Sequence, residues 1–427
     1  FMKKLSSLFF LLFAIVIGSY SQTNDTKFGI NLGGYLKTDM FYDTRQSLVL
    51  REGHVLFYPL PVSLDANGKD LNANGSFNIL SIQSRLWGKI TAPDAFGAQS
   101  SGYLEGEFYG TSDGDVNGFR LRHAFLTLKW ETTELLVGQT WNPMFQTDCF
   151  AGVISFNTGF PFQPFGRNPQ VRLKQSFGAL NLYLTALTQR DFNSPGPNGF
   201  SSSYLRNAII PELNAKIEYS SKSQNEDLLF GAASSYKSLV PRQKNAKNVE
   251  VTDEKVNSFE ATGYFKYRTD PIEFKLQGFY GQNAADLMQI GGYAVKKTTD
   301  QAKITNDLWE YTPFNVISGW TEIISIFPTS YGKFELAVFG GYSKNLGTSD
   351  EIMGDGLQSS YIFARNANID DLIRVSPRIA FSSGKTKFAF ETEYTAAKYG
   401  INDKDGKVIN GESVSNIRFL LAAFIFF

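Results

Sequence analysis

Along most of this chain, apolar and polar residues alternate one for one. From Phe28 to Tyr42 the even positions include Phe28, Ile30, Leu32, Leu36, Met40 and Tyr42, and the odd positions Asn31, Tyr35, Lys37 and Asp39. A period of two puts the two sets on opposite faces of an extended strand. At about 10 or more residues, such a strand exceeds the usual length in a globular sheet and suffices to cross a bilayer at a tilt.

The alternation recurs. It predicts strands over Asn78–Ile90, Ser100–Gly110, Phe119–Trp130, Leu135–Trp141, Gln170–Ser176, Leu180–Gln189, Leu213–Tyr219 and Asp227–Ser238. In the second half it predicts Phe259–Tyr267, Ile272–Tyr280, Asn315–Ser325, Phe334–Tyr342, Leu372–Ser382, Phe388–Tyr394 and Asn416–Phe427. The total is about sixteen, an even number as bacterial membrane barrels require. The fold class expected is therefore all-β, a transmembrane antiparallel up-and-down barrel.

The connections sort by length in the way such a barrel demands. Short ones such as Glu131–Glu134, Phe177–Ala179, Arg268–Pro271 and Ser383–Lys385 alternate with long ones such as Asp43–Phe77, Asn142–Pro169, Arg190–Pro211 and Gln282–Phe314. One end thus carries turns and the other carries loops, as in outer-membrane barrels. Both termini fall at the turn end, which would be periplasmic.

One stretch breaks the pattern. Thr140–Lys174 holds six phenylalanines, four prolines and the single cysteine, with neither strand nor helix periodicity. A long apolar loop is unusual outside functional or disordered segments. It is third on the long side, and we expect residues 142–168 to fold inward as a constriction loop, with Asp148, Gln163 and Arg167 placed to meet solute. The plainer alternative is an external loop burying its aromatics in a neighbouring loop or subunit.

Composition narrows the class. The 427 residues are 15% aromatic and carry no net charge, so there is no basic bias towards nucleic acid. After the first twenty residues no apolar run is long enough for a membrane-spanning helix. Lys3 and Lys4, the apolar Leu8–Ile17 and the small-x-small triplet Ser19-Tyr20-Ser21 have the form of a secretory signal peptide, residues 1–21, with the barrel over 22–427. Cys149 alone permits no disulfide framework.

With the apolar faces against lipid, the polar faces line a lumen. Lys37, Asp39, Arg85, Glu105, Glu107, Arg120, Arg122, Arg172, Lys174, Arg374 and Arg378 then point inward, along with Asp148 and Arg167 of the loop segment. Cations along a low-dielectric wall concentrate anions. The competing reading is structural: Glu105 and Glu107 lie between the Arg85 and Arg120/Arg122 strands, where cross-strand ion pairs form naturally, and Glu391 and Glu393 could answer Arg374 and Arg378.

Other chemistry is thinly represented. Asp113, Asp115 and Asn117 match the first half of a calcium loop, but position twelve is Ala124, so a polar turn is the expectation and a metal site the weak alternative. There is no phosphate-cradling Gly loop, CxxC or HExxH motif. His54 lies in a long loop, and His123 shares a face with Leu121 and Phe125, which suggests lipid or a subunit interface. No catalytic residue, cofactor or nucleic-acid partner is expected.

Several segments add a family likeness. GGYLKTDMFYDTR (Gly33–Arg45), SRLWGKITAPDAFG (Ser84–Gly97), GYLEGEFYG (Gly102–Gly110), LRHAFLTLKW (Leu121–Trp130) and LLVGQTWNPMF (Leu135–Phe145), in that order, resemble the DcaP-type trimeric porins. The likeness is strongest over about residues 30–175. It implies a sixteen-stranded outer-membrane barrel, a homotrimer, and uptake of small anionic, dicarboxylate-like solutes. Gly29, Gly33, Gly34, Gly102 and Gly106 would allow close approach in such a trimer. The terminal Phe427 resembles the signal read by the barrel-assembly machinery. A barrel serving as an enzyme or adhesion scaffold, and a secreted carbohydrate-binding β-sandwich, are the rival readings.

Overall fold

The computed structural model describes residues 27–223, 225–245, 251–306, 308–354 and 359–427. The expected signal peptide lies outside the described residues. Gly29–Asp43 opens the barrel. The next stave is split into Ser76–Leu80 and Arg85–Ala95, both paired with Gly29–Asp43. Then follow Ala98–Phe108, Phe119–Lys129, Thr133–Trp141, Arg167–Phe177, Leu180–Leu187, Glu212–Lys222 and Glu226–Leu239. The second half comprises Val256–Thr269, Ile272–Gln282, Tyr311–Thr329, Gly332–Thr348, Ile369–Ser383, Thr386–Asn402 and Val408–Phe426. Nineteen strands share the sheet; two belong to loops and two are halves of one stave, which leaves sixteen.

The staves pair antiparallel with their sequence neighbours, and Gly29–Asp43 pairs with Val408–Phe426 to close the barrel. At the closure Phe427 and Gly34 exchange backbone hydrogen bonds of 3.1 and 3.2 Å. Closure removes the free edges that an open sheet would expose. Turns of two or three residues occupy one end, for example Phe96-Gly97 and Gly384-Lys385, as the length sorting requires.

Alternation sets what each face meets. Leu36 and Met40 point outward and are exposed, while Lys37 and Asp39 between them are buried. The same holds for exposed Ile373, Val375 and Ile379 against buried Arg374, Ser376 and Arg378. The outer wall is apolar, and the inner wall is polar with aromatic patches.

Two expectations are corrected. A bulge between Glu105 and Gly106 pairs Glu105 with His123 and Glu107 with Arg120, leaving Arg122 as the extra residue. The bulge flips the parity of the strand, so His123 turns inward with Arg122 instead of sharing a face with Leu121. It is buried against Trp141 at 5.1 Å and bonded to Thr140 Oγ1 at 3.2 Å. Three of the glycines considered for a subunit contact are already covered by the chain itself. A Cβ at Gly33 would meet Trp87 at 2.7 Å, one at Gly34 would meet Phe427 at 2.5 Å, and one at Gly106 would meet Phe119 at 2.2 Å. Their close approach is intramolecular, the glycine-covering use of aromatic rings found in sheets.

Candidate functional site: the lumen and its inward loop

The segment between Trp141 and Arg167 runs inside the barrel. Five of its six phenylalanines, Phe145, Phe156, Phe160, Phe162 and Phe165, are buried while Phe150 is exposed, and Trp141 stacks on Phe145 at 4.4 Å. Burying several Phe side chains at roughly 1.5–3 kcal/mol each supplies most of what orders a loop without a ladder of its own. Pro143, Pro161 and Pro164 lower the entropy lost on ordering it.

Carboxylates of the opposite wall fix the backbone of this loop. The Gly152 N–H donates to Glu322 Oε2 at 2.9 Å, the Ile154 N–H to Glu391 Oε2 at 2.7 Å, and the Ser155 N–H to Glu391 Oε1 at 3.3 Å. Asn157 Nδ2 donates to Glu393 Oε2 at 2.7 Å. Cations take the carbonyls: Lys37 Nζ donates to Ile154 O at 2.8 Å and Arg374 Nη1 to Phe160 O at 2.8 Å. Such charge-assisted bonds are roughly twice as strong as neutral ones.

The near wall holds an arginine cluster. Glu107 accepts from Arg85 Nε at 3.0 Å, Arg120 Nη2 at 2.6 Å and Arg122 Nη1 at 2.8 Å; Glu105 accepts from Arg122 Nε at 2.5 Å. Arg167 pairs with Asp191 at 2.6 Å. Four guanidinium groups thus share three carboxylates and leave one positive charge in excess. The pairing anticipated across these strands is present, and it is incomplete.

The remaining candidates separate by partner. Arg378 is bound to Glu322 and Glu335, and Arg374 to Glu393 at 3.4 Å and to the Phe57 and Phe160 carbonyls. Both are buried and ion-paired; for Arg374 the partner is Glu393, one of the two acids the pairing reading offered, while Arg378 bridges two other carboxylates of the wall. Glu391, opposite Arg378 in register, is taken by the loop amides instead. Gln163 is likewise internal to the loop, bonded to Ala151 and Thr158, and Arg167 is only 1% exposed. Arg172 donates to Gln170 and to the Trp141 carbonyl, with no carboxylate in ion-pair range among the described residues. Lys174 lies 5.5 Å from the Tyr183 ring. Asp148 stays exposed to the lumen.

Between loop and wall lies a cavity of about 320 Å³. Its charged lining is Lys37, Arg85, Arg122 and Lys387; no carboxylate lines it, and Trp141, Phe145, Phe150 and Phe156 form apolar walls. Sequence reasoning missed Lys387, which lies one residue before the strand expected over Phe388–Tyr394 and belongs to the observed strand Thr386–Asn402. It also missed Asp191, which sits in a loop, and Glu322 and Glu335, which the alternation places inside without indicating a partner.

Three other residues have local roles. Asp113–Asp115 form a short 3-10 turn, and Asp113 accepts the Arg51 backbone N–H at 2.6 Å. Burial pushes the Cys149 thiol up to about 12, which makes it inert. His54 is bonded through Nε2 to Asp39 at 2.6 Å and through Nδ1 to Tyr109 at 2.8 Å; burial pushes its imidazole below the usual range against the pull of the Asp39 carboxylate.

A closed sixteen-strand antiparallel barrel with its third long connection folded inside is a porin fold. Among solved structures, the outer membrane channel DcaP of Acinetobacter baumannii shares it at a TM-score of 0.67 and 15% identity, over 95% of this chain and 100% of that one. The anion-selective porin from Comamonas acidovorans does so at 0.53 and 12%, over 94% and 100%. OmpT of Vibrio cholerae follows at 0.51 and 10%, over 95% and 100%. No family model and no curated protein matches the chain. At these identities the likeness establishes the fold.

Proposed function

We propose that the chain is an outer-membrane channel, working as a homotrimer, through which small anionic solutes of the dicarboxylate type diffuse. The observation that carries this reading is the cavity beside the inward loop, whose charged lining is four cationic side chains, with the carboxylates that pair them, Asp39, Glu105, Glu107 and Glu335, set outside the lining. An anion about 4 Å from one such cation gains roughly 1–4 kcal/mol, depending on how far water penetrates. Several cations along the path lower the barrier without a single deep trap, the balance conduction requires. The apolar outer wall supports the membrane setting, since exposed Leu32, Leu36, Ile373 and Ile379 suit hydrocarbon and not water. One protein with this fold is described as an anion-selective porin, which agrees with the charge argument.

Planar-bilayer recording tests the reading. Purified protein should give conductance in triplet steps, with a reversal potential in a salt gradient that favours anions and a further shift in a dicarboxylate gradient. Cation preference would remove the charge argument; recovery as a soluble protein without detergent would remove the membrane setting.

A further inference from the structure

The third loop is not the only insert in the lumen. Within the first long connection, Ser47–Leu50 and Val55–Pro59 pair as a hairpin, and every residue from His54 to Pro59 is buried. Phe57 packs on Phe160 of the third loop at 5.1 Å, and His54 lies 5.6 Å from Phe156. One contiguous apolar cluster joins Val55, Phe57 and Tyr58 to the third loop's phenylalanines and, across the barrel, to Phe279, Trp320 and Phe339 of the wall.

This packing has a direct consequence for an ion. Carrying a charge through a dry apolar layer is very costly, and hydrophobic constrictions close channels on this ground. The shared cluster narrows the loop-side route to the cationic cavity, and moving one of the inserts would widen it.

Both inserts are held by hydrogen bonds to the rest of the chain. The third loop is pinned through its backbone to Glu322 and Glu391. The hairpin forms a separate two-stranded sheet with no ladder to the barrel. It is tied instead by bonds that involve side chains: His54 to Asp39 and Tyr109, Arg51 to Asp113, Tyr109 O and Gly110 O, Asn78 Nδ2 to Glu52 O at 3.0 Å, Arg418 Nη2 to Gly53 O at 2.7 Å, Tyr58 Oη to Asn366 Oδ1 at 2.7 Å, Tyr399 Oη to Pro59 O at 2.8 Å, and Arg374 to Phe57 O. Its two ends lie side by side, because the Leu60 N–H donates to Gln46 O at 3.0 Å. A unit with adjacent ends and no ladder to the barrel can leave as one piece.

We propose that the hairpin Ser47–Pro59 is a gate: seated, it closes the loop-side mouth; displaced, it opens the path to the cationic cavity. The inference rests on the channel reading above.

The adjacency of Gln46 and Leu60 supplies the test. Residues 47–59 are replaced by Gly-Gly, a two-residue link suited to a hairpin end, and the variant is compared with the parent in planar bilayers. The parent should show brief, infrequent openings, and the excised variant a sustained conductance with open probability raised at least tenfold. A second variant, Tyr58→Phe with Tyr399→Phe, removes two rim bonds at nearly constant volume and should raise open probability about tenfold. It decides the matter if the excised chain gives no folded, heat-modifiable band. Equal open probability in parent and variants overturns the gate and leaves the channel standing. Absence of conductance in the parent and in folded variants alike overturns the channel reading itself.

Discussion

Glu391 Oε2 accepts the Ile154 N–H at 2.7 Å, so a carboxylate of one wall holds the backbone of a loop that springs from the opposite side. A second oxygen takes the Ser155 N–H, and Ile154 O is in turn held by Lys37. The loop tip is therefore fixed from both directions by charged groups. This explains why an aperiodic, proline-rich stretch can keep one position in a polar lumen.

Glu391→Gln keeps the size of the side chain and removes the charge. Hydrogen bonds to charged groups contribute about 1.5–3 kcal/mol, so the loop should be held less tightly while the barrel persists. Open-channel current noise should rise several-fold, with the heat-modifiability midpoint little changed. Noise equal to that of the parent would show that the carboxylate is not what fixes the loop.

Glu107→Gln acts on the other wall. Glu107 is fully buried and receives Arg85, Arg120 and Arg122 together. Removing its charge leaves those cations short of a partner, a loss of about 3–5 kcal/mol for a buried pair broken on one side. The heat-modifiability midpoint should fall, and the permeability ratio of any channel still folded should move further towards anions. An unchanged midpoint would mean that water already screens the cluster.

Much of this architecture was legible in the alternation. The strands from Phe28 to Phe427 and the long-short ordering of connections both follow from a period of two and from hairpin geometry, which act locally. The Glu105/Glu107 pairing was legible too, because register fixes cross-strand neighbours. The orientation of His123 was not, since a bulge at Arg122 has no signature in residue type. Nor was the gate hairpin: Val55-Leu-Phe-Tyr-Pro59 reads as a short apolar run, and only tertiary packing says that it turns inward. Bonds from Glu322 and Glu391 to backbone amides left no trace either, because every residue carries the same amide.

Gly34 tests barrel closure. A Cβ there would lie 2.4 Å from the Arg85 carbonyl oxygen and 2.5 Å from the Phe427 ring. Overpacking of this kind costs about 1–3 kcal/mol, and the affected seam joins the first and last staves. Gly34→Ala should lower the heat-modifiability midpoint and slow refolding into detergent micelles, whereas Gly29→Ala, with nothing within 4 Å, should do neither. Equal behaviour of the two variants would show that the seam has room to adjust.

Arg85 and Arg378 separate selectivity from scaffolding. Both are inward arginines on barrel strands, and alternation alone treats them alike. Arg85 lines the cavity and shares Glu107 with two other guanidinium groups, so that carboxylate keeps partners when Arg85 is gone. Arg378 is 4% exposed and bridges Glu322 and Glu335, and Glu322 also holds the loop at Gly152. Arg85→Ala should therefore reduce the anion-to-cation permeability ratio about twofold or more, measured as a reversal potential, with the fold intact. Arg378→Ala should strand Glu322 with Lys275 as its sole ion pair, at 3.3 Å, and lower the heat-modifiability midpoint. Its effect on selectivity should follow from the loosened loop, appearing with raised current noise and not alone. If Arg378→Ala instead shifts the reversal potential at constant noise and constant midpoint, the far-wall arginine faces solute after all, and the division between a selecting wall and a clamping wall fails.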